Sequence, residues 1–319
     1  MTEPFLMIDM GGTNIRFSTF DEKPSPVVTY QTHDYNSLCE VMEAYQMQSG
    51  RPLPRRIVMG VPGPVMADKL VFLNNPWSFS KTELIRQLGL TELKVVNDFE
   101  PQAMAIPYLA DKDLLKIGDG AVLPGYPKAV LGPGTGLGAT YLISIGNGWR
   151  SIATEGGHVS IPIQTDREFE IYSYLRHQYD HISAERVISG KGLALIYEAL
   201  CAIHGVPKEN LSPQEIMAQA LKRTDIPYKA VIHMFDWLGV VAGDMAMILS
   251  AFGGTYITGG IIRQPGVLDL FKESHFRQRF EDKGRRSAFM KQMPTFVVTT
   301  HNRAFVGLQH MMDVEHGKK

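Results

Sequence analysis

Cysteine is nearly absent from this sequence. Cys39 and Cys201 are the only two in 319 residues, too few for a disulfide framework or a cysteine-rich zinc site. Excess charge is missing too. The 32 Lys and Arg against 33 Asp and Glu leave a formal net charge of −1, so no global field favours nucleic acid or an anionic membrane as a partner. No uninterrupted apolar run approaches the ~18 residues of a membrane-spanning helix. The opening "MTEPFLMIDM" has an acidic residue and only a short apolar run, unlike a secretory leader. These absences predict a cytoplasmic protein with no membrane or nucleic-acid partner. No low-complexity linker appears either, so any domains are expected to meet at a hinge. The densest basic stretch, Arg277 to Lys291, is interrupted by Glu281 and Asp282 and reads as a solvated face.

What is present is an ordinary globular composition, 44% hydrophobic and 20% charged, in a chain long enough for two domains. "FLMID" is a short apolar run ended by Gly11-Gly12, and "NIRFSTF" alternates like a half-buried strand. "RRIVMGV" and "ELKVVND" are further apolar segments, with helical stretches at Ser37–Gln46 and Lys81–Leu88. Strands alternating with helices predict an α/β architecture opened by an antiparallel hairpin. The pattern then restarts. "KAVLGPGTGLGATYLISI" repeats the form of "FLMIDMGGTNIRFSTF", which predicts two similarly built halves. Further on, Val231, Phe235, Leu238, Ala242, Met245 and Leu249 mark one face of a long helix, with Gly239, Gly243 and Ala246 as a strip for close helix packing. "TYITGGII" and "FVVTT" read as strands, and Arg303 to Asp313 as a terminal helix.

The glycines at 132, 134, 136 and 138 fall at every second position and lead into a strand, so they do not form the Gly-x-Gly-x-x-Gly of a dinucleotide fold. "SGKG" at 189–192 lacks the Ser or Thr that a Walker lysine requires and has Arg at 186. Both glycine turns can present several backbone N–H groups to one anion, with a Thr hydroxyl as an added donor, although a glycine hairpin turn alone explains each. Asp9 precedes the first turn, where a carboxylate suits a hydrated Mg²⁺. Asn97-Asp98 ends an apolar strand, where Asp98 could accept a proton from a hydroxyl nucleophile or serve as the N-cap of the next helix. Glu155 and His158 flank two glycines in "TEGGHVS" and can exchange hydrogen bonds with a polyol. Taken singly, each has a plainer reading: His158 as a structural histidine, Glu155 as a solvated acid, and Glu185 as a first-turn acid at a helix start.

In combination, "DMGGTNIR", "GVPGPV", "NNPW", "NDF", "GPGTGLG", "EGGH", "SAERVISGKGL" and "TGGI" resemble the bacterial glucokinases, members of the superfamily of sugar kinases, actin and heat-shock ATPases. The resemblance runs from about residue 5 to about residue 310. It implies a two-domain actin-like ATPase fold, α/β and ribonuclease H-like in each half, with a central cleft. The small domain is expected over 1–108, completed by a C-terminal helix at 300–319, and the large one over 109–299. By this resemblance Asp9, Met10, Gly11, Gly12, Thr13, Asn14 and Arg16 form the first phosphate loop, with Asp9 reaching Mg²⁺ through water. Gly134, Thr135 and Gly136 form the second, and Gly259 and Gly260 the adenosine loop. Asp98 is the implied catalytic base; Asn97, Asp98, Glu155, His158 and Glu185 hold the sugar.

The implied reaction is ATP-dependent phosphorylation of glucose at its 6-hydroxyl, giving glucose 6-phosphate and ADP, the first step of glycolysis, and a homodimer is the implied assembly. The related repressor–ORF–kinase branch follows its histidine with zinc-binding cysteines. Here "VSIPIQTDREFE" follows His158, so no structural zinc is expected. Two rival readings stand beside this one. A kinase for another hexose or amino sugar would use the same scaffold. A non-enzymatic sugar sensor of the repressor type would carry a helix-turn-helix ahead of the first loop, and a loop beginning at residue 9 is not expected to leave room for one.

Overall fold

A computed structural model describes residues 3–72, 77–300 and 303–315, with side chains as far as Met312. Asn74, Asn75 and Pro76 of "NNPW", and residues 301–302 and 316–319 of the expected C-terminal segment, lie outside the described residues. The chain divides into two compact units. One comprises Met1–Leu109, Ile145–Ala153 and His301–Lys319; the other comprises Ala110–Ser144 and Thr154–Thr300.

In the first unit, β1 (Phe5–Met10) turns into β2 (Asn14–Asp21), followed by the short β3 (Lys23–Pro24) and β4 (Val28–Gln31). Helix α1 (Leu38–Ser49) leads to β5 (Arg56–Val61), and a small hairpin of β6 (Lys69–Val71) and β7 (Ser78–Ser80) leads to α2 (Lys81–Leu88) and β8 (Glu92–Asn97). The sheet order is β3-β2-β1-β5-β8, with β4 also on β2. β1 and β2 are antiparallel, whereas β1, β5 and β8 are parallel. β5 is buried at every position, as its unbroken apolar run requires for a strand covered on both faces. The helix ends are set locally. Ser37 and Ser80 accept the N–H of Glu40 and Glu83 at 3.2 and 3.1 Å, and Gly50 and Gly89 close the same helices with φ of 65° and 59°. Helix α3 (Phe99–Met104) follows β8.

The second unit contains β9 (Leu114–Ile117), β10 (Lys128–Pro133) and most of β11 (Leu137–Ile145). After β11, β12 (Gly148–Ile152) groups with the first unit, where Ser151 donates to Glu100 at 2.6 Å. Helices α4 (Asp166–Arg176), α5 (Gly190–His204), α6 (Pro213–Leu221) and α7 (Asp225–Leu249) precede β13 (Thr255–Ile257). Helices α8 (Val267–Glu273), α9 (Phe276–Glu281) and α10 (Ser287–Met290) precede β14 (Thr295–Val298). The chain then returns to the first unit as α11 (Ala304–Glu315), which packs on α3. The sheet runs β11-β10-β13-β14-β9. Again an antiparallel hairpin, β10–β11, sets its first strand beside a parallel strand, β13, which in turn pairs in parallel with β14. The repeat of form in the sequence is thus a repeat of topology.

Helix α7 is long and apolar enough to cross a membrane by composition, yet most of it is buried in the second unit's core. Its expected single apolar face is a buried circumference, because Met234, Trp237, Val240 and Val241 are also enclosed. α5, α6 and α9 all pack against it. Gly239 and Gly243 lie against the backbone carbonyls of Phe276 and Phe280, closer than a methyl group could fit. The basic stretch departs from expectation. Arg285, Arg286 and Lys291 are exposed, but Arg277, Arg279 and Lys283 have side chains only 13%, 12% and 8% exposed, paired with Glu281, Glu168 and Asp244. It is half a packed polar seam, not a solvated face.

Candidate active site

The first glycine turn joins β1 to β2, and the hairpin register sets Asp9 opposite Arg16. Their side chains form an ion pair at 2.9 Å. Gly11 N–H donates to Asn14 O at 2.8 Å, closing the turn, while Thr32 holds it from the side through Thr13 O and Gly12 O, at 2.9 and 3.0 Å. Gln31 donates to the Asn14 side chain at 2.8 Å. Gly12 and Thr13 are left exposed. Met10 is fully buried in the core, so only its backbone can serve the turn. Beside the ion pair a cavity of about 210 Å³ is lined by Asp9, Arg16, Val27, Thr29, Ala304 and Phe305.

Asp98 directly follows β8, and its N–H donates to Val61 O at 2.8 Å. Gly60 on β5 lies against the Asp98 backbone, where a methyl group would be 3.4 Å from its Cα. Although Asp98 occupies the N-cap position of α3, its side chain makes no capping hydrogen bond. That bond belongs to Asn97, whose Oδ1 accepts Phe99 N–H at 3.0 Å and whose Nδ2 donates to Gly63 O at 3.1 Å. The helix-cap alternative for Asp98 therefore fails. Its carboxyl is pushed up to about 7, first by burial and next by the Asp9 carboxylate, against smaller opposing hydrogen bonds from the Phe99 and Asp98 backbone. Asp9 is also raised, by burial, with Arg16 opposing. A half-buried carboxyl balanced near neutrality is chemically suited to accept a proton.

In the second unit, the turn after β10 is fastened at several points. Gly134 N–H donates to Gly136 O at 2.8 Å, and Gly134 O accepts from Gly190 N–H at 2.9 Å. Leu137 N–H donates to Glu185 Oε2 at 2.9 Å. Glu185 N–H donates to Gly157 O at 2.8 Å, and Gly157 lies so close to Leu137 O that no side chain could replace its hydrogen. Gly259, with φ of 97°, likewise packs on Pro133 O, while Thr258 and Ile261 donate to Leu131 O and Pro133 O at 2.8 and 3.3 Å. The structure thus brings Gly134, Gly136, Gly157, Glu185 and Gly259 into one hydrogen-bonded assembly. Thr135 and Gly260 are exposed at its surface.

Glu185 precedes the helix. α5 begins at Gly190, with Ser189 as its cap accepting Gly192 N–H at 3.0 Å, so the first-turn-acid alternative fails. Glu155 precedes a 3₁₀ turn over Gly156–His158, which His158 ends. Both are exposed, their nearest ionisable atoms 3.9 Å apart. Asn97 and Asp98 belong to the first unit; Glu155, His158 and Glu185 belong to the second.

Three participants are not among the expected site residues. Glu100 is buried and joins Asn97 N–H, at 3.3 Å, to Ser151. Ser189 donates to Glu185 O at 2.8 Å. Arg263 reaches Thr258 at 3.3 Å beside Gly259, and burial lowers its guanidinium. Glu100 acts through Ser151, 51 residues away, and Ser189 through a backbone atom, and neither leaves a local pattern.

Among the described residues no three His, Cys, Asp or Glu side chains gather to hold a metal. Asp9 offers one carboxylate with one oxygen on Arg16. That donor chemistry fits a magnesium ion that keeps its waters and arrives on a polyphosphate.

Two units of like topology, each opening with a glycine hairpin on a parallel sheet, define the actin-like ATPase fold as sugar kinases use it. A glucokinase from an Antarctic psychrotroph, 32% identical over 98% of this chain and 100% of its own, superposes with a TM-score of 0.86. The sequence profile of the glucokinase family matches residues 6–315. The glucokinase of Aromatoleum aromaticum is 39% identical, over 98% of this chain and 95% of its own length. That of Chromobacterium violaceum is 38% identical, over 97% and 90%. The chain belongs to the glucokinase family.

Proposed function

We propose that this chain transfers the γ-phosphoryl group of ATP to the 6-hydroxyl of glucose, giving glucose 6-phosphate and ADP, with Asp98 as the base. The observation that carries this reading is Asp98 itself: a strand-end carboxyl, uncommitted to the helix cap, poised at about 7 beside the Asp9 loop. Asp98 orients the hydroxyl and takes its proton as the oxygen attacks phosphorus. Because phosphoryl transfer passes through a loose transition state, positioning and charge neutralisation outweigh base strength. The N–H groups and hydroxyls of the turns at Gly11–Thr13 and Gly134–Gly136 hold the phosphates, and Gly259–Gly260 the adenosine. Asp9 would hold a magnesium ion through water, and the ion would supply positive charge to the phosphates. Asn97, Glu155, His158 and Glu185 hold the other sugar hydroxyls. The protein acts in the cytoplasm as a homodimer.

The test is a coupled assay for ADP release with Mg-ATP against glucose, mannose, fructose, glucosamine and N-acetylmannosamine, with Asp98→Asn alongside. Glucose-selective turnover that the variant loses is expected. Turnover selective for another sugar keeps the chemistry and replaces the substrate; sugar binding without turnover on any of them would sink the reading.

A further inference from the structure

Glu185 carries more contacts than a sugar ligand needs. Its Oε2 accepts Leu137 N–H at 2.9 Å, at the end of the second glycine turn. The same oxygen occupies the space that a methyl group on Gly136 would require. The backbone on either side of the carboxylate is fixed as well. Glu185 N–H is on Gly157 O, Ser189 Oγ is on Glu185 O, and Gly190 N–H is on Gly134 O. The turn and the 185–190 segment are therefore fastened at both ends, at Leu137 by the Glu185 side chain and at Gly134 by a backbone bond. That side chain leaves Oε1 for a hydroxyl.

We propose that Glu185 is a positioning residue for the nucleotide's second glycine turn as well as a sugar ligand, and that this one carboxylate couples the two affinities. The inference rests on the sugar-kinase reading above and deepens it. A carboxylate hydrogen-bonded to a backbone N–H is a strong, charge-assisted contact. It fixes the direction of the Leu137 amide and so the shape of the turn before it. A sugar hydroxyl on Oε1 narrows the side chain to the rotamer that holds Leu137. Nucleotide then meets an ordered turn, and by linkage it tightens sugar binding by the same factor. Gly136 is the complementary element, because a larger residue there drives the carboxylate aside. The obstructing atom is the free end of a flexible side chain, so Gly136→Ala displaces Glu185 without unfolding the turn.

The experiment measures equilibrium binding of a non-hydrolysable ATP analogue with and without glucose, and of glucose alone, for the wild type, Glu185→Gln, Glu185→Ala and Gly136→Ala. Thermal melting checks that each variant folds. Glu185→Ala should weaken the analogue about 10-fold with no sugar present, from the loss of roughly one charge-assisted bond, and should abolish the tightening by glucose. Glu185→Gln, whose amide oxygen still accepts Leu137 N–H, should keep the analogue within about 2-fold of wild type. Gly136→Ala should weaken glucose binding. Analogue binding unchanged in Glu185→Ala, with glucose binding weakened, would overturn the coupling and leave the sugar-site reading standing. Glucose binding unchanged in both Glu185 variants would overturn the sugar-site assignment itself. Should Glu185→Ala fail to fold, Gly136→Ala decides: unchanged glucose affinity there overturns the proposal.

Discussion

Asp9 and Asp98 lie at the C-terminal ends of parallel strands, β1 and β8, separated only by β5, and the charge on Asp9 is the second cause, after burial, that lifts Asp98 to about 7. Asp9 is answered by Arg16, whereas Asp98 is left out of the cap that Asn97 makes instead. At Asp9 the Arg16 guanidinium opposes the rise that burial causes, whereas at Asp98 only backbone hydrogen bonds oppose it.

A base must be ionised, so kcat/KM for glucose should fall about 10-fold per pH unit below about 7 and level off above it. A pH–rate profile measures this directly, and an acid limb lying near 4 would show that Asp98 titrates as an ordinary carboxylate and that burial and Asp9 do not raise it. Asp98→Asn should lower kcat by about 10²–10⁴ while sugar affinity changes little, because the amide still hydrogen-bonds but cannot take the proton.

The same shift bears on stability with a definite sign. The folded protein holds the Asp98 proton up to about 7, while the unfolded chain releases it near 3.8. Between those values the folded state binds more protons, so this group's contribution to stability falls as pH rises. Asp98→Asn carries no charge to bury and should therefore melt higher than wild type at pH 8, by on the order of 2 kcal/mol. The gain should vanish as pH approaches 4. Calorimetry across that range checks it; a pH-independent difference would mean the charge is not the cause.

Much of the fold was legible because its signals are local. The Gly-rich hairpins at 11–12 and 132–138, the helical stretches starting at 37 and 81 and the apolar runs of β5 and β10 each fit within a dozen residues. The edge strands β4 and β9 and the β6–β7 hairpin were not legible, being short and only partly buried. At the candidate site the residue types could be read, but not what decides their chemistry. Whether Asp98 caps a helix depends on its neighbour Asn97, and how it titrates depends on Asp9, across the sheet. That Glu185 holds Leu137, 48 positions away, has no trace in its own surroundings. The basic stretch failed for the same reason, since the partner of Arg279 is Glu168, 111 residues earlier.

That last pair makes a prediction. Glu168 is 2% exposed, with one oxygen on Arg279 and the other accepting Gln164 and Thr165 N–H at 2.7 and 3.1 Å. Arg279→Met fills the space but leaves a buried negative charge with only backbone donors. It should cost about 3–5 kcal/mol of unfolding free energy. The double variant Glu168→Gln/Arg279→Met should recover part of that loss, because no charge is then stranded. Urea denaturation of the three variants measures it. A double variant no better than Arg279→Met would show that packing, not charge, is what Arg279 supplies.

Gly243 sets helix propensity against packing. In the middle of α7, replacing Gly with Ala should stabilise the helix by about 1 kcal/mol through backbone entropy alone. The new methyl, however, would lie 2.5 Å from Phe280 O and 2.9 Å from Lys283 Cε. The lysine can swing away, but the carbonyl belongs to α9 and can move only with the helix. Moving it opens the seam in which Phe276 and Phe280 are buried and Lys283 reaches Val240 O and Asp244. Overpacking of this kind costs about 1–3 kcal/mol, enough to outweigh the propensity gain. Gly243→Ala should therefore lower the melting temperature by a few degrees, and Gly243→Val by more. A rise in melting temperature for the alanine variant would show that α9 yields at little cost, and that α7 and α9 are not locked at this glycine.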